Sequence, residues 1–108
     1  MEEKHTQKVF VMYKLKPGVK IEDYRKWSRE VDQTITPFQP GVYRFEPYEI
    51  KGAEKGKSPY QIVEDIDVES FEVWQNVVKS EAMKKLVKEW ANYGDESTLI
   101  TIYGDKVK

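Results

Sequence analysis

Apolar residues along this chain follow two periods, one of strands and one of helices. The run "KVFVMYKL" (8–15) is β-branched and aromatic, and "KPGV" closes it with a turn signal, so it predicts a first strand. Ile21, Tyr24, Trp27 and Val31 then recur at helical spacing, predicting a helix of about four turns. Lys20 offers that helix no short polar cap, although Glu22 and Asp23 suit the positive end of its dipole. "TPFQPG" stops it with two prolines and a glycine. "VYRFEPYEI" (42–50) alternates for four residues and then meets Pro47, which has no amide to donate. It reads as an edge strand bulged at the proline, with Tyr43 and Phe45 carried onto the face of Tyr48 and Ile50. A basic loop, "KGAEKGKSP", leads into the strand "YQIVEDI", and Asp67 is placed to cap the helix that follows. That helix carries Phe71, Trp74 and Val77 or Val78 at helical spacing. "KS" at Lys79 and Ser80 breaks the rhythm before a second run of Met83, Leu86, Val87 and Trp90, for which Gly94 suits the C′ position. "TLITIYG" is the last strand, and no internal repeat appears.

The element order is β-α-β-β-α-β, the split βαβ arrangement of the ferredoxin-like fold, class α+β. In that topology the four antiparallel strands run 4-1-3-2, and the second strand lies at an edge, in agreement with Pro47. Two helices cover only one face of such a sheet, which leaves the other to water unless something else buries it. "VFVMY" and "LITIY" nevertheless put apolar or aromatic residues on both parities. A second copy of the same sheet, in a twofold homodimer, is the simplest cover, giving a dimeric α+β barrel. The whole chain, 1–108, forms one domain with residues 1–7 as an arm.

Composition narrows the chemistry. Lys and Arg total 18 against 19 Asp and Glu, so no overall field attracts nucleic acid or anionic lipid. The apolar runs are far too short to cross a bilayer, and "MEEKHTQK" lacks the apolar core of a signal peptide, so a cytoplasmic location without membrane contact is expected. Cysteine is absent, which removes disulfides, thiolate catalysis and cysteine zinc sites. The one histidine, His5, falls in the N-terminal arm, so histidine triads and multi-histidine metal sites are not expected either. Abundant Lys and Glu without Cys is a composition shared with heat-adapted proteins.

Strand parity in "YQIVEDI" sets Tyr60, Ile62, Glu64 and Ile66 on one face and Gln61, Val63, Asp65 and Asp67 on the other. Glu64 thus shares an apolar face at the middle of a central strand. It is either a pocket carboxylate with a raised pKa, fit for acid–base work, or one half of an ion pair with Arg44 or Lys14. Asp65 is expected in solvent near the strand end, and Asp67 at the helix cap. Asp32 follows Val31 on the flank of the helical apolar stripe. It either points into a cleft between helix and sheet, walled by Tyr24 and Trp27, or faces water at the helix end, where a negative charge opposes the dipole. Trp27, Trp74 and Trp90 all fall on apolar helix faces and read as core. Tyr13, Tyr43, Tyr60 and Tyr103 fall on strands, and their phenols suit a pocket for a planar heteroaromatic ligand. The glycines of "KGAEKGK" match no phosphate-binding pattern.

Four segments, "VFVMYKLKPGV", "YRKWSREVD", "PYQIVEDIDVESF" and "SEAMKKLVKEW", resemble in order the REDY-like (HapK) family, named for proteins of prodiginine pigment pathways. The resemblance covers 9–103. It implies a homodimer of ferredoxin-like subunits within the dimeric α+β barrel superfamily, which also holds EthD-like proteins and cofactor-independent antibiotic monooxygenases. It further implies tailoring of a small aromatic or pyrrolic metabolite, by condensation or cyclisation. EthD-like proteins carry a histidine near the end of the first helix in a pattern like "W..EVH". Here "WSREVD" has Asp32 at that position, so a histidine-dependent role does not transfer, and haem relatives need a histidine within the fold. The expectation is a cofactor-free, metal-free enzyme in which Glu64 is the acid or base and Asp32 second, with Tyr13, Trp27, Arg44 and Tyr60 binding substrate. The alternative is a dimeric accessory protein that holds a hydrophobic small molecule without catalysis.

Overall fold

The β-branched and aromatic runs pair into one four-stranded antiparallel sheet, with helices on one of its faces. The computed structural model describes residues 6–108, so His5 and the arm before Thr6 lie outside the described residues. In chain order come β1 (Gln7–Tyr13), α1 (Ile21–Trp27), a π-turn (Ser28–Asp32), α2 (Gln33–Ile35), a 3-10 turn (Thr36–Phe38) and β2 (Val42–Glu49). Then follow β3 (Ile62–Val68), α3 (Phe71–Lys79), α4 (Glu81–Trp90), a 3-10 turn (Glu96–Thr98) and β4 (Ile100–Gly104). The sheet order β2-β3-β1-β4 is the expected 4-1-3-2 viewed from its other end. This is the ferredoxin-like fold, with β1 and β3 central.

The helix side of the sheet is the core. Val9, Val11 and Tyr13 of β1, Ile62, Glu64, Ile66 and Val68 of β3, and Val42 and Phe45 of β2 are all buried there. Tyr24, Trp27, Trp74, Val77, Met83 and Leu86 close over them from the helices. Trp27 and Trp74 are core residues as expected, while Trp90 is partly buried against the same cluster. Helices α3 and α4 break at Ser80, whose extended backbone interrupts the run where the apolar rhythm fails.

Four local expectations are corrected. Pro47 sits in unbroken register opposite Glu64, and the bulge falls instead between Val42 and Arg44. An edge strand tolerates a missing amide without bulging; the shift lies just beyond the Gly41 turn, whose φ is +82°. Phe45 therefore faces the helices and Tyr48 the opposite side. Asp67 does not cap α3, because β3 continues through Val68. Ser70 takes that role, its hydroxyl accepting from the Val73 N–H at 3.2 Å. Asp65 is mid-strand and half-buried beside Lys8 and Arg44, not in free solvent. Gly94 is not a left-handed cap: α4 ends at Trp90, and Gly94 makes an isolated bridge to Leu15. A Cβ there would strike the Trp90 indole, so the missing side chain is what lets the ring lie across the backbone.

Among the described residues no layer covers the other face of the sheet. The registers set out three rows across it: Arg44, Asp67 and Lys8; Glu46, Asp65, Phe10 and Ile102; and Tyr48, Val63, Met12 and Ile100. Lys8 Nζ lies 2.7 Å from Asp65 and 2.6 Å from Asp67, and Arg44 reaches the same two carboxylates at 2.9 and 3.1 Å.

Candidate active site

Glu64 stands on the helix side of a central strand, opposite Val11, with 6% of its surface exposed. Tyr13 lies on the same face of the neighbouring strand, fully buried, and its O–H donates to Glu64 Oε2 at 3.0 Å. The Tyr24 phenol, carried in by α1, is 2.7 Å from the Tyr13 oxygen. Tyr13 has one hydroxyl proton and spends it on Glu64, so Tyr24 is the donor to Tyr13.

Asp32 arrives by a different device. The backbone N–H of Gln33 reaches back five residues to the Ser28 carbonyl, the signature of a π-turn. The wider turn brings residues five apart onto one side, so Asp32 falls in line with Trp27 and turns inward. It is 4% exposed and accepts from the Thr36 hydroxyl at 2.6 Å. Asp32 is thus buried instead of facing water, but the cavity it lines is not walled by Tyr24 and Trp27.

Burial is the main force on both acids. It raises the Glu64 pKa well above the ordinary carboxylate value, the Asp32 charge adds to that, and the Tyr13 hydrogen bond opposes it. Burial lifts Asp32 to about 6, against the Thr36 hydrogen bond. No ion pair reaches either acid among the described residues: Arg44 serves Asp65, Asp67 and Glu46 on the far face, and exposed Lys14 does not reach Glu64. Of the pair, Glu64 is raised the further and holds a proton the more tightly. Burial and the Glu64 charge raise both phenols, so Tyr13 and Tyr24 stay neutral as well.

Both acids line a cavity of about 150 Å³ between the sheet and α3–α4. Thr36 is beside them; Phe45, Trp74, Met83 and Trp90 supply apolar walls, and partly exposed Val87 and Leu99 border it. An apolar cavity of about this volume accommodates one benzene-sized ring.

The other sequence candidates are placed elsewhere. Tyr13 stands behind Glu64 as its hydrogen-bond donor. Trp27 is buried but stacks on Tyr93, with centroids 5.3 Å apart, and its indole N–H has no partner among the described residues; it does not line the cavity. Tyr60 precedes β3 in the loop, its amide bonded to Ser58 Oγ, away from the acids. Arg44 is on the opposite face. Thr36, Trp74, Met83 and Trp90 join the site without having been singled out for it. Thr36 carried a usable signal, since it follows Asp32 by four residues, within one helical turn.

A family model described as "REDY-like protein HapK" matches residues 7–107. No curated protein matches the chain. Among solved structures, HapK from Hahella chejuensis superposes with a TM-score of 0.76 at 17% identity, covering 94% of this chain and 92% of that one. A hydroxynitrile lyase from Passiflora edulis gives 0.73 at 10% identity, covering 94% of each. A dimeric protein of ferredoxin-like fold from Bacteroides fragilis gives 0.68 at 12% identity, covering 94% and 96%. At these identities the likenesses establish the fold.

Proposed function

Since the chain belongs to the REDY-like HapK family, we propose that it is a small homodimeric enzyme that tailors an aromatic or pyrrolic metabolite by proton transfer, without a cofactor. The reaction class is cyclisation, condensation or isomerisation. The observation that carries this reading is the pair of buried acids beside one ring-sized apolar cavity, with no cation bound to either among the described residues. Environments that push two carboxyl pKa values apart assign an acid and a base. Glu64, held protonated, gives its proton to a developing anion or leaving group on the ring. Asp32, ionised above about pH 6, takes a proton from the same substrate. The apolar walls of the cavity strengthen both steps by lowering the local dielectric. That a hydroxynitrile lyase shares the fold supports a scaffold able to house such chemistry. The homodimer forms through the open sheet face; the Bacteroides fragilis neighbour is described as dimeric.

A binding role without catalysis is the second reading, favoured by one feature: Tyr13 and Thr36 already hydrogen-bond the two acids, which suits a fixed cradle. The two readings separate on Glu64→Gln and Asp32→Asn, assayed by mass spectrometry against pyrrole and indole carbonyl compounds. The enzyme reading expects turnover to fall by about 10²- to 10⁴-fold in Glu64→Gln while the ligand still binds. Undiminished turnover in that variant removes Glu64 as the acid. Binding of these compounds with no conversion by the native protein selects the cradle.

A further inference from the structure

We infer that Tyr13 and Tyr24 form a proton relay joining Glu64 to solvent in a second cleft, separate from the cavity that Glu64 faces. The inference rests on Glu64 being the acid of the reaction proposed above. An acid that gives its proton to a ring in the cavity must regain one, and while that ring stands between Glu64 and the mouth at Val87 and Leu99 a path from behind can supply it.

Behind Glu64 the groups stand in file. Tyr13 donates to Glu64 Oε2 at 3.0 Å, and Tyr24 donates to Tyr13 at 2.7 Å. Tyr24 is one lining residue of a cleft of about 260 Å³, with Ser28, Arg29, Gln33 and Glu49; Glu64 does not line that cleft, and Tyr24 does not line the cavity. Two buried phenols therefore bridge two separate hollows. Ser28 continues the file outward: its hydroxyl neighbours the Tyr24 phenol and accepts from the amide of exposed Gln33 at 3.1 Å. The titratable and charged groups around the file are Glu64, Asp32 and the two phenols, with Arg25, Arg29, Tyr48 and Glu49 lining the cleft at its outer end.

The direction of the file fits delivery. With Glu64 ionised after turnover, each O–H points toward it. A buffer acid or water in the cleft gives a proton to the Tyr24 oxygen, Tyr24 passes its own to Tyr13, and Tyr13 passes its own to Glu64 Oε2. One O–H bond breaks and one forms at each phenol. Both tyrosines end neutral, and the donor in the cleft loses one proton.

The test follows Glu64 directly, with benzene filling the cavity in place of substrate. Its carboxylic C=O infrared band, identified by its loss in Glu64→Gln, is recorded in the full chain after a rapid pH drop. Tyr24→Phe is expected to slow the band's return by about a hundredfold, near the low end for a positioned proton-transfer group. The native protein should also show an upwardly curved dependence of rate on deuterium fraction, because several protons move together. Return as fast in Tyr24→Phe as in the native chain overturns the relay. So does a linear deuterium dependence in the native protein, a readout that stands if the variant fails to fold. The turnover assay of Glu64→Gln tests the acid role alone and the infrared rate tests the relay alone, so either can fail without the other.

Discussion

At the scale of single residues, the two buried acids should make this protein less stable as pH rises. A carboxyl whose folded pKa exceeds its unfolded one binds more protons when folded, so its contribution is full below the unfolded value and lost as pH passes the folded one. For Asp32 that window runs from 3.8 to about 6. The shift corresponds to about 3 kcal/mol, and protein relaxation reduces it. Asn at this position keeps an oxygen for the Thr36 hydroxyl and loses the charge. Asp32→Asn is therefore expected to raise stability by about 2–3 kcal/mol at pH 7, with the gain closing toward pH 4. Urea denaturation at both pH values measures it, and a gain that is equal at the two would refute the buried charge. The same change removes one cause of the raised Glu64 pKa, so the midpoint of the Glu64 infrared band should fall. Of the two acids, Glu64 was legible in the sequence because strands have a strict period of two, and one apolar neighbour on each side fixes the face. Asp32 was only half legible. Counted by α-helical spacing it falls on the flank, and a π-turn leaves no residue signature in "SREVD".

The elements were legible where apolar period and punctuation agree, and misplaced where a residue has two physical uses. The Ser80 break and the strand order followed from sequence; the bulge did not, since an edge proline can be accommodated by position alone. Gly94 is the clearest case. A glycine after a helix commonly supplies a left-handed residue, yet here it supplies room, for the Trp90 ring against its backbone. Trp90 in turn packs edge-on to Tyr13, with centroids 5.0 Å apart, and lines the cavity. Gly94→Ala should then cost about 1–3 kcal/mol by overpacking. It should also perturb the Trp90 environment, seen in the near-ultraviolet circular dichroism. Gly104→Ala, where a Cβ meets open space at the exposed end of β4, is the control and should stay within about 0.5 kcal/mol. Equal losses at both positions would mean that backbone freedom, not the indole contact, is what Gly94 supplies.

Across the whole molecule, the open sheet face is divided between charge and apolar surface, and the division says how two copies would meet. The row of Arg44, Asp67 and Lys8 is tied up in its own ion pairs, and burying it would strip water from five charges once Asp65 and Glu46 are included. The row at the opposite end carries Tyr48, Val63, Met12 and Ile100, and Phe10 and Ile102 adjoin it at the β1–β4 corner, where Ile100 and Ile102 are 42% and 48% exposed. Apolar residues belong at the centre of a stable interface and charges at its rim. The proposed homodimer should accordingly centre on the β1–β4 corner and leave the ion-pair row at the edge. Met12→Lys and Ile102→Lys each place a charge at that centre and are expected to yield monomers at micromolar concentration by light scattering. Lys8→Ala, which removes two partly exposed ion pairs of the rim, to Asp65 and Asp67, should change the association free energy by less than about 1 kcal/mol. A native chain that is monomeric in the same experiment would end the sheet-on-sheet proposal. Dissociation by Lys8→Ala with Ile102→Lys still dimeric would move the interface to the charged row. The two kinds of substitution thus locate the contact as well as detect it.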